Sequence, residues 1–352
     1  MYFVGLGTAA PPRTFTQAEC WAAFAAAPQF ARLAPRSRAL LRKILLGDHG
    51  IARRHVALEA LVEAFALTPE VLHARFARHA PALATAAATR ALSAAATAPE
   101  AIDALLVSTC TGYLCPGLTS YVSEGLGLRP DVVALDLVGQ GCGAAVPNWR
   151  AAEALVTARR ARRVLSVCVE VCSAAFYLDD DPGVLVSACL FGDGAGAAVL
   201  AEAPGPAARR LEWHSAETQL NPAERDRLRF EQRGGMLRNI LSPTVPELAA
   251  ASAEQVLTTM LTRAGLGRDE LRTWVLHPGG RLILEALRRR LRLSEEAVAW
   301  SAAVMEEYGN LSSASLYFVL ETALTGRAPA GWWWVSSFGA GFSCHGVLLR
   351  VS

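Results

Sequence analysis

Short apolar runs alternate with longer helical segments through most of the chain. Ala104–Ser108, Val132–Leu137, Val164–Val169 and Ala195–Leu200 are five or six residues long and mostly aliphatic, as buried strands are. The segments between them predict helices, such as the one from about Leu118 to Leu126. Strands that alternate with helices in this way are typical of a layered α/β fold.

The first hundred residues follow a different pattern. Met1–Gly7 predicts a first strand that ends before Pro11. From about residue 15 to residue 100, Ala, Arg and Leu dominate and β-branched residues are few, which predicts several helices inserted after that strand. The N-terminal segment has no basic start and no long apolar region, so we do not expect a signal peptide.

The second half of the chain repeats the order of the first. Thr273–Leu276 predicts a strand that corresponds to Ala104–Ser108. Val298–Met305 predicts a second strand, the counterpart of Val132–Leu137, and a helix follows it from about Ser312. The two remaining predicted strands of this half are Trp332–Ser336 and Gly346–Arg350.

One spacing supports the repeat. Thr109 and Cys142 are 142 − 109 = 33 positions apart, and His277 and Asn310 are 310 − 277 = 33 positions apart. Each of the four follows a predicted strand, and α/β folds gather binding and catalytic groups at the carboxyl ends of strands. We therefore predict two halves: residues 1–205, with the helical insertion and Cys142, and residues 206–352, with His277 and Asn310.

Composition and charge argue against several classes of protein. The 352 residues are 52% hydrophobic and 19% charged, which allows a large core and argues against disorder. A net charge of +2 does not give the strongly basic surface that is typical of nucleic-acid-binding proteins. No apolar stretch reaches the roughly 20 residues that a membrane-spanning helix needs. Eight cysteines in a chain of this length do not predict a disulfide scaffold, so we expect a reducing cytoplasm. The histidines lack metal-ligand spacing.

Cys142 lies between a predicted strand and a predicted helix, within Gly139–Ala145. A thiol at a helix N-terminus is exposed to the positive end of the helix dipole and to unpaired backbone N–H groups. Both favour the thiolate, which is the reactive form. The neighbouring glycines permit a sharp turn and leave space for a substrate. Cys142 is therefore the candidate nucleophile, although a buried structural cysteine is the default for the other seven.

His277 and Asn310 are candidate partners of this thiol. His277 begins the run His277–Gly280, where a predicted strand ends, and its imidazole could pair with a thiolate or donate to an oxyanion. Asn310 precedes Leu311 and could cap a helix or hold its amide beside His277 as a second donor. The two roles of Asn310 are compatible.

Three segments resemble the signature regions of type III polyketide synthases, the chalcone and stilbene synthase family: Gly141–Ala145, His277–Gly280 and Gly309–Ala314. The resemblance implies a thiolase-like fold in which the two halves form αβαβα layers. It also implies a homodimer that needs no metal, no organic cofactor and no carrier protein. Further segments that extend the resemblance along the chain are Cys110–Gly112, Pro116–Gly117, Gly127–Pro130 and Leu190–Ala195.

The same resemblance implies a reaction. Cys142 would accept an acyl group from a CoA thioester, and His277 would stabilise its thiolate as an ion pair. His277 and Asn310 would bind the thioester oxygen of malonyl-CoA while carbon dioxide leaves, and the enolate would attack the acyl group on Cys142. The loop from Cys110 to Cys115 is more similar to bacterial members that make alkylresorcinols, alkylpyrones or phloroglucinol-type compounds. Ala175, with the small residues beside Cys142, suggests space for a long acyl starter.

Substrate-binding positions are also implied by the resemblance. Phe191 matches a gate residue between the CoA tunnel and the acyl cavity, and Arg238 stands at the position of a second gate residue. Cys115 matches a residue that reaches across the dimer into the partner's cavity. Arg42 and Lys43 lie near the CoA-phosphate contacts. The other predicted substrate-binding residues are Cys110, Ala175, Ser187, Gly279, Ser312 and Phe338.

Three alternatives remain. A ketoacyl-acyl-carrier-protein synthase III shares Cys, His and Asn, but it usually has His-Gln-Ala-Asn where this chain has His277–Gly280. Gly192–Gly196 suggests nucleotide binding, but the G-x-G-x-x-G spacing fails at Ala197. A catalytically inactive binding protein of the same fold is the third.

Overall fold

Thirteen strands and eleven α-helices make up the regular structure of residues 1–352, all of which the computed structural model describes. The strands are β1 (Tyr2–Ala9), β2 (Thr14–Thr16), β3 (Arg53–His55), β4 (Ala104–Thr109), β5 (Val133–Val138), β6 (Arg163–Glu170), β7 (Gly194–Ala201), β8 (Leu211–Leu220), β9 (Leu228–Arg233), β10 (Met236–Leu241), β11 (Leu271–Leu276), β12 (Gly331–Gly339) and β13 (Ser343–Val351). The helices are α1 (Gln17–Ala26), α2 (Pro28–Ala31), α3 (Pro35–Leu46), α4 (Pro69–Ala94), α5 (Leu118–Leu126), α6 (Ala145–Thr157), α7 (Pro182–Leu190), α8 (Val245–Ala264), α9 (Arg281–Arg290), α10 (Glu295–Tyr308) and α11 (Ser315–Thr325).

Nine strands form one mixed sheet in the order β11-β12-β13-β8-β1-β7-β6-β4-β5. The two halves of the chain meet where β1 pairs with β8, through Tyr2–Glu212 and Phe3–Leu211 only. Read outward from this junction, the first half runs β1, β7, β6, β4 and the second runs β8, β13, β12, β11. Each strand of the second half thus has a counterpart at the same place in the first half. The two halves are repeats of one unit, as the sequence predicts.

The repeat is incomplete at one position. The predicted strand Val298–Met305 is wrong, because these residues lie within helix α10. The buried positions of α10 are Val298, Ser301, Val304 and Met305, which recur at the spacing of a helix face rather than that of a strand. The Ser294 hydroxyl caps the helix by accepting from the backbone N–H of Ala297. The second half therefore has no counterpart of β5.

Helices form three layers around the two parts of the sheet. α6 and α11 lie between them, and the core they share includes Trp149, Tyr317 and strand residues of both halves. α4 covers the outer face of the first half, and α8 and α9 cover that of the second. This is the αβαβα arrangement. The inserted segment before β4 consists mainly of helices, as predicted, with the short β2–β3 pair added. None of the helices combines the length and apolar character that a membrane crossing requires.

A buried hydrogen-bond network joins the two central helices to the sheet. The indole N–H of Trp149 on α6 donates to the hydroxyl of Tyr317 on α11, at 2.9 Å. The Tyr317 hydroxyl also lies 2.8 Å from that of Ser166 on β6, which donates to Asn148 at 2.7 Å. Because all four side chains are fully buried, each polar group depends on the others for its partner.

We expect Tyr317→Phe to lower the free energy of unfolding by about 1–3 kcal/mol, since it leaves the Trp149 N–H buried without an acceptor. The measurement is urea denaturation followed by circular dichroism. Tyr121→Phe is the matched control. Tyr121 is 39% exposed, and its loss of a hydroxyl should change stability by no more than about 0.5 kcal/mol. Equal losses in the two variants would contradict the role of the network.

Candidate active site

The loop that follows β5 brings Cys142 to the start of α6. Gly139 and Gly141 have φ angles of +85° and +56°, a region that glycine enters without steric cost. A short 3-10 turn over Gly141–Gly143 then leads into the helix. Strand β12 packs so closely on this turn that a Cβ on Gly339 would lie 2.4 Å from the carbonyl oxygen of Gln140. The turn that contains Cys142 is thus held by the other half of the molecule.

His277 follows β11 directly and is almost completely buried. Its backbone N–H donates to the carbonyl of Ser336 at 2.9 Å, which continues the pairing of β11 with β12. The ring packs edge-on against Phe338, with 5.2 Å between the ring centroids. Nδ1 of the imidazole is buried without a hydrogen-bond partner. A buried ring nitrogen without a partner carries a desolvation cost.

The side chain of Asn310 connects the His277 loop to the loop that contains Ser312. Its Nδ2 donates to the carbonyl of Gly279 at 3.3 Å, and its Oδ1 accepts from the backbone N–H of Ser312 at 2.8 Å. Its backbone forms an isolated bridge with Phe191, the residue that follows α7. The amide of Asn310 therefore has a fixed orientation, set by hydrogen bonds at both of its ends.

A buried carboxylate that the sequence analysis did not select lies near Cys142. Glu170, at the end of β6, accepts from the hydroxyls of Thr111 at 2.9 Å and Ser312 at 3.3 Å, and from the hydroxyl of Ser313. The Cys110 thiol lies 3.4 Å from both Glu170 and Ser312. The sequence signal that could have identified Glu170 is a carboxylate at the end of the mainly apolar strand β6.

Burial controls the protonation of the site. It raises the pKa of the Cys142 thiol to about 12, an effect that the Ser312 hydroxyl partly offsets and the Glu170 carboxylate reinforces. Burial alone lowers the pKa of His277 to about 3. It also raises the pKa of Glu170. In this arrangement burial opposes the thiolate that the helix N-terminus favours, and it opposes the imidazolium as well.

A cavity of about 1150 Å³, including its mouth, extends from Cys142. Of its 28 lining residues 20 are hydrophobic, so it suits an apolar group better than a polar one. The predicted substrate-binding residues that line it are Cys110, Ala175, Ser187, Phe191 and Ser312. His277 and Asn310 are buried and do not line the cavity.

The rest of the cavity wall comes from segments that the sequence analysis did not connect with the site. Phe24 of α1, Phe65 and Phe176 form an aromatic cluster on the wall, which we call the aromatic trio. Its ring centroids lie 5.2 Å (Phe24–Phe65), 6.0 Å (Phe24–Phe176) and 6.2 Å (Phe65–Phe176) apart. Cys172 and Ala175 line the cavity next to Phe176 along the chain. No local pattern in the sequence marks the trio as cavity wall.

Arg238 is placed differently from the prediction. It does not line the cavity, because its guanidinium is bound by three carboxylates: Asp179 at 2.7 Å, Glu231 at 2.9 Å and Asp181 at 3.3 Å. The hydrogen bond to Asp179, together with the other contacts of these carboxylates, raises the pKa of Arg238. The β9–β10 hairpin contributes Phe230 to the cavity instead.

The other predicted site residues also lie outside the cavity wall. Gly279 and Phe338 contact His277 rather than the cavity, Gly279 through its backbone and Phe338 through its ring. Cys115 is exposed in the loop before α5. Arg42 and Lys43 are exposed on α3. No group of three or more His, Cys, Asp or Glu side chains is placed to hold a metal ion.

Two family models match the chain. The N-terminal domain of chalcone and stilbene synthases matches residues 3–204, and the C-terminal domain of the same family matches residues 212–352. Together they account for nearly the whole sequence.

Individual proteins are similar over different lengths. The alpha-pyrone synthesis polyketide synthase-like Pks18 of Mycobacterium tuberculosis is 30% identical, over 99% of this chain and 90% of its own. The 3,5-dihydroxyphenylacetyl-CoA synthase of Amycolatopsis balhimycina is 32% identical, over 60% of this chain and 58% of its own.

Solved structures show the same fold. PKS-I from the brown alga Ectocarpus siliculosus superposes with a TM-score of 0.88 at 28% identity, covering 99% of this chain and 97% of its own. The 1,3,6,8-tetrahydroxynaphthalene synthase of Streptomyces coelicolor also gives a TM-score of 0.88, with 99% of each chain covered. Because this second pair is only 23% identical, the likeness concerns the fold alone.

We expect the alkylation of Cys142 by iodoacetamide to accelerate steadily with pH up to at least about pH 9. Burial raises the thiol pKa above its ordinary value, so the reactive thiolate is scarce at neutral pH and increases as the pH rises. The rate is measured by mass spectrometry of the Cys142 peptide, with the exposed Cys115 as an internal reference. A rate that is already constant from pH 6 to pH 8 would instead indicate a thiolate–imidazolium pair in the free protein.

Proposed function

The chain belongs to the chalcone and stilbene synthase family and is a type III polyketide synthase, and we propose that it extends an acyl-CoA starter with malonyl-CoA through a thioester on Cys142. The observation that carries the proposal is the position of Cys142. It lies at the N-terminus of α6, opens into an apolar cavity, and is linked through Ser312 and Asn310 to the His277 loop.

The first half-reaction loads the starter. The sulfur of Cys142 attacks the thioester carbonyl of an acyl-CoA, and the bond from that carbonyl to the CoA sulfur breaks. The thiol proton passes to His277, which is uncharged at neutral pH because burial lowers its pKa. The proton is then returned to the departing CoA thiolate. A neutral imidazole is suited to this transfer, since it can accept a proton in one step and release it in the next.

The second half-reaction forms the carbon–carbon bond. Malonyl-CoA binds with its thioester oxygen toward His277 and the Nδ2 of Asn310. Loss of carbon dioxide leaves an enolate whose negative charge is on that oxygen, and two fixed donors stabilise it by several kcal/mol. The enolate carbon then attacks the acyl carbonyl on Cys142. The chain becomes two carbons longer, and the Cys142 sulfur leaves as a thiolate that takes up a proton from water, since the proton lost during loading has left with CoA.

The cavity supports a fatty acyl starter. Its wall is mainly apolar, and it extends past Ala175 to the aromatic trio of Phe24, Phe65 and Phe176. An acyl chain that lies along this wall would bury its methylene groups away from water. We therefore propose an alkylresorcinol, alkylpyrone or phloroglucinol-type product. The name of the mycobacterial relative, which refers to alpha-pyrone synthesis, supports the pyrone among these.

Exposed cations and free thiols support the remaining parts of the proposal. Arg42 and Lys43 project from α3 without an ion-pair partner, and we propose that they contact the phosphates of CoA. All eight cysteines are free, which is compatible with a reducing cytoplasm. The reaction as written needs no metal, no organic cofactor and no carrier protein, so activity should survive dialysis against EDTA.

We also propose a homodimer that forms through β5. This strand is the edge of the nine-stranded sheet, and Val133, Leu135 and Val138 on it are 42%, 42% and 56% exposed. An uncovered apolar edge strand tends to pair with another strand, and a second copy could pair with it antiparallel. The exposed Cys115 would then lie near the partner. Sedimentation velocity should give a single species of twice the chain mass, and a monomer at micromolar concentration would contradict this proposal.

Purified protein with malonyl-CoA and a series of fatty acyl-CoAs, without any carrier protein, should give products that contain added two-carbon units. Products are identified by mass spectrometry. Cys142→Ala should give none, and Asn310→Ala should lower kcat about 100- to 1000-fold by removing one oxyanion donor. If wild-type protein produces nothing until an acyl carrier protein is added, the ketoacyl-synthase alternative is favoured instead.

The aromatic trio should limit the length of the starter. In wild-type protein, kcat/KM should rise about fourfold with each added methylene until the acyl chain reaches the trio, and then stop rising. Phe24→Ala should move this limit to longer chains by removing a ring from the wall. Phe30→Ala is the matched control, because Phe30 contacts Trp21 and does not line the cavity. An unchanged limit in Phe24→Ala would show that the trio is not the end of the acyl site.

A further inference from the structure

A second buried histidine lies against the nucleophile's turn. His345 on β13 is 2% exposed, and its ring packs on Gly143, the residue after Cys142. A Cβ on Gly143 would lie 3.1 Å from the Cδ2 of His345 and 3.2 Å from its Nε2. On the neighbouring strand, the hydroxyl of Ser337 donates to the carbonyl of Gly143 at 3.2 Å. The turn therefore rests on the paired residues His345 and Ser337.

Hydrogen bonds connect His345 to the surface on one side. Arg150, exposed on α6, donates from Nη1 to the hydroxyl of Thr218 at 2.8 Å. That hydroxyl lies 3.0 Å from Nδ1 of His345. Because a guanidinium can only donate, the Thr218 oxygen accepts from Arg150 and its own hydrogen is free for Nδ1.

Hydrogen bonds connect the same ring to the cavity wall on the other side. Nε2 of His345 lies 3.1 Å from the hydroxyl of Ser343, which donates to the carbonyl of Ala340 at 3.0 Å. A carbonyl can only accept, so the single hydrogen of Ser343 is used there and Nε2 must donate. Ala340 lines the cavity and packs on Gly141, where a Cβ would lie 3.0 Å from its backbone nitrogen.

The two ends of this series of hydrogen bonds determine the protonation state of the His345 ring. Arg150 can only donate, the Ala340 carbonyl can only accept, and every group between them donates once and accepts once. The ring must then carry its proton on Nε2 and present a lone pair on Nδ1. A charged ring would direct a second N–H at the Thr218 oxygen, beside the positive charge of Arg150. Burial and Arg150 accordingly lower the pKa of His345 to about 4.

We propose that His345, as a neutral Nε2–H imidazole, is a positioning residue for the polyketide synthase reaction, acting through the turn that presents Cys142. It touches neither substrate nor the reacting sulfur. Its ring supports Gly143, and its hydrogen bond to Ser343 holds the segment of Ala340 against Gly141. This inference rests on the proposed function only for its effect on turnover. The hydrogen-bond direction is a property of the fold.

The test uses Thr218, which belongs to the chain of hydrogen bonds but not to the cavity. Thr218→Val keeps the shape and removes the hydroxyl, and Thr218→Ser keeps the hydroxyl. We expect Thr218→Val to lower kcat at least tenfold with KM changed less than twofold, and Thr218→Ser to restore kcat to within twofold of wild type. His345→Leu should lose about 100-fold in kcat, the order expected for a misplacement of about 1 Å. Thermal melting checks that each variant is folded.

Two further measurements separate this inference from the proposed function. Nitrogen-15 NMR of the histidine ring should show the Nε2–H tautomer for His345 in wild type and in Thr218→Ser, and Thr218→Val should shift the Nδ1 resonance because that nitrogen loses its hydrogen-bond donor. Alkylation of Cys142 by iodoacetamide, which needs no substrate, should be at least fivefold slower in Thr218→Val alone. These results without any polyketide product would retain the positioning role and reject the function. Normal turnover and alkylation in Thr218→Val, or an Nδ1–H tautomer in wild type, would overturn the positioning role.

Discussion

The contact between the Gly141–Gly143 turn and strands β12 and β13 is the constraint on which the site depends. Cys142 belongs to the first half of the chain, yet its turn is shaped by backbone and side chains of the second half, at Gly339, Ser337 and His345. No side chain larger than hydrogen fits between Gly339 and this turn. Cys142 therefore has its position only when the two repeats are packed together through α6 and α11.

The polar side chains of the site are hydrogen-bonded to one another, and the residues around them are mainly apolar. Its hydroxyls and amide are hydrogen-bonded to each other and to Glu170, whereas Nδ1 of His277 has no partner. Burial disfavours a charge on Cys142 and on His277 alike. In the proposed reaction, these fixed dipoles would stabilise the negative charge that develops on the substrate enolate. In the proposed reaction, the same burial would keep water away from that enolate.

The cavity wall is formed by elements that lie far apart in the sequence. The helical insertion supplies Phe24, and the β9–β10 hairpin supplies Phe230. Arg238 holds that hairpin by binding Asp179 and Asp181, which precede α7. A residue outside the cavity thus fixes part of its wall, and substitutions in this ion-pair cluster act on the cavity indirectly.

The sequence alone determined most strands, the repeat of the two halves and the candidate set of Cys142, His277 and Asn310, because burial patterns and strand-end loops are local features. The prediction of a strand at Val298–Met305 was wrong although the signal was local, because the buried positions of this segment have helical spacing. Only the tertiary structure decided the partners of Glu170, the place of Arg238 and the wall built by Phe24. The reason is physical: a cavity and a hydrogen-bond network are formed by side chains distant in the chain, and packing alone brings them together.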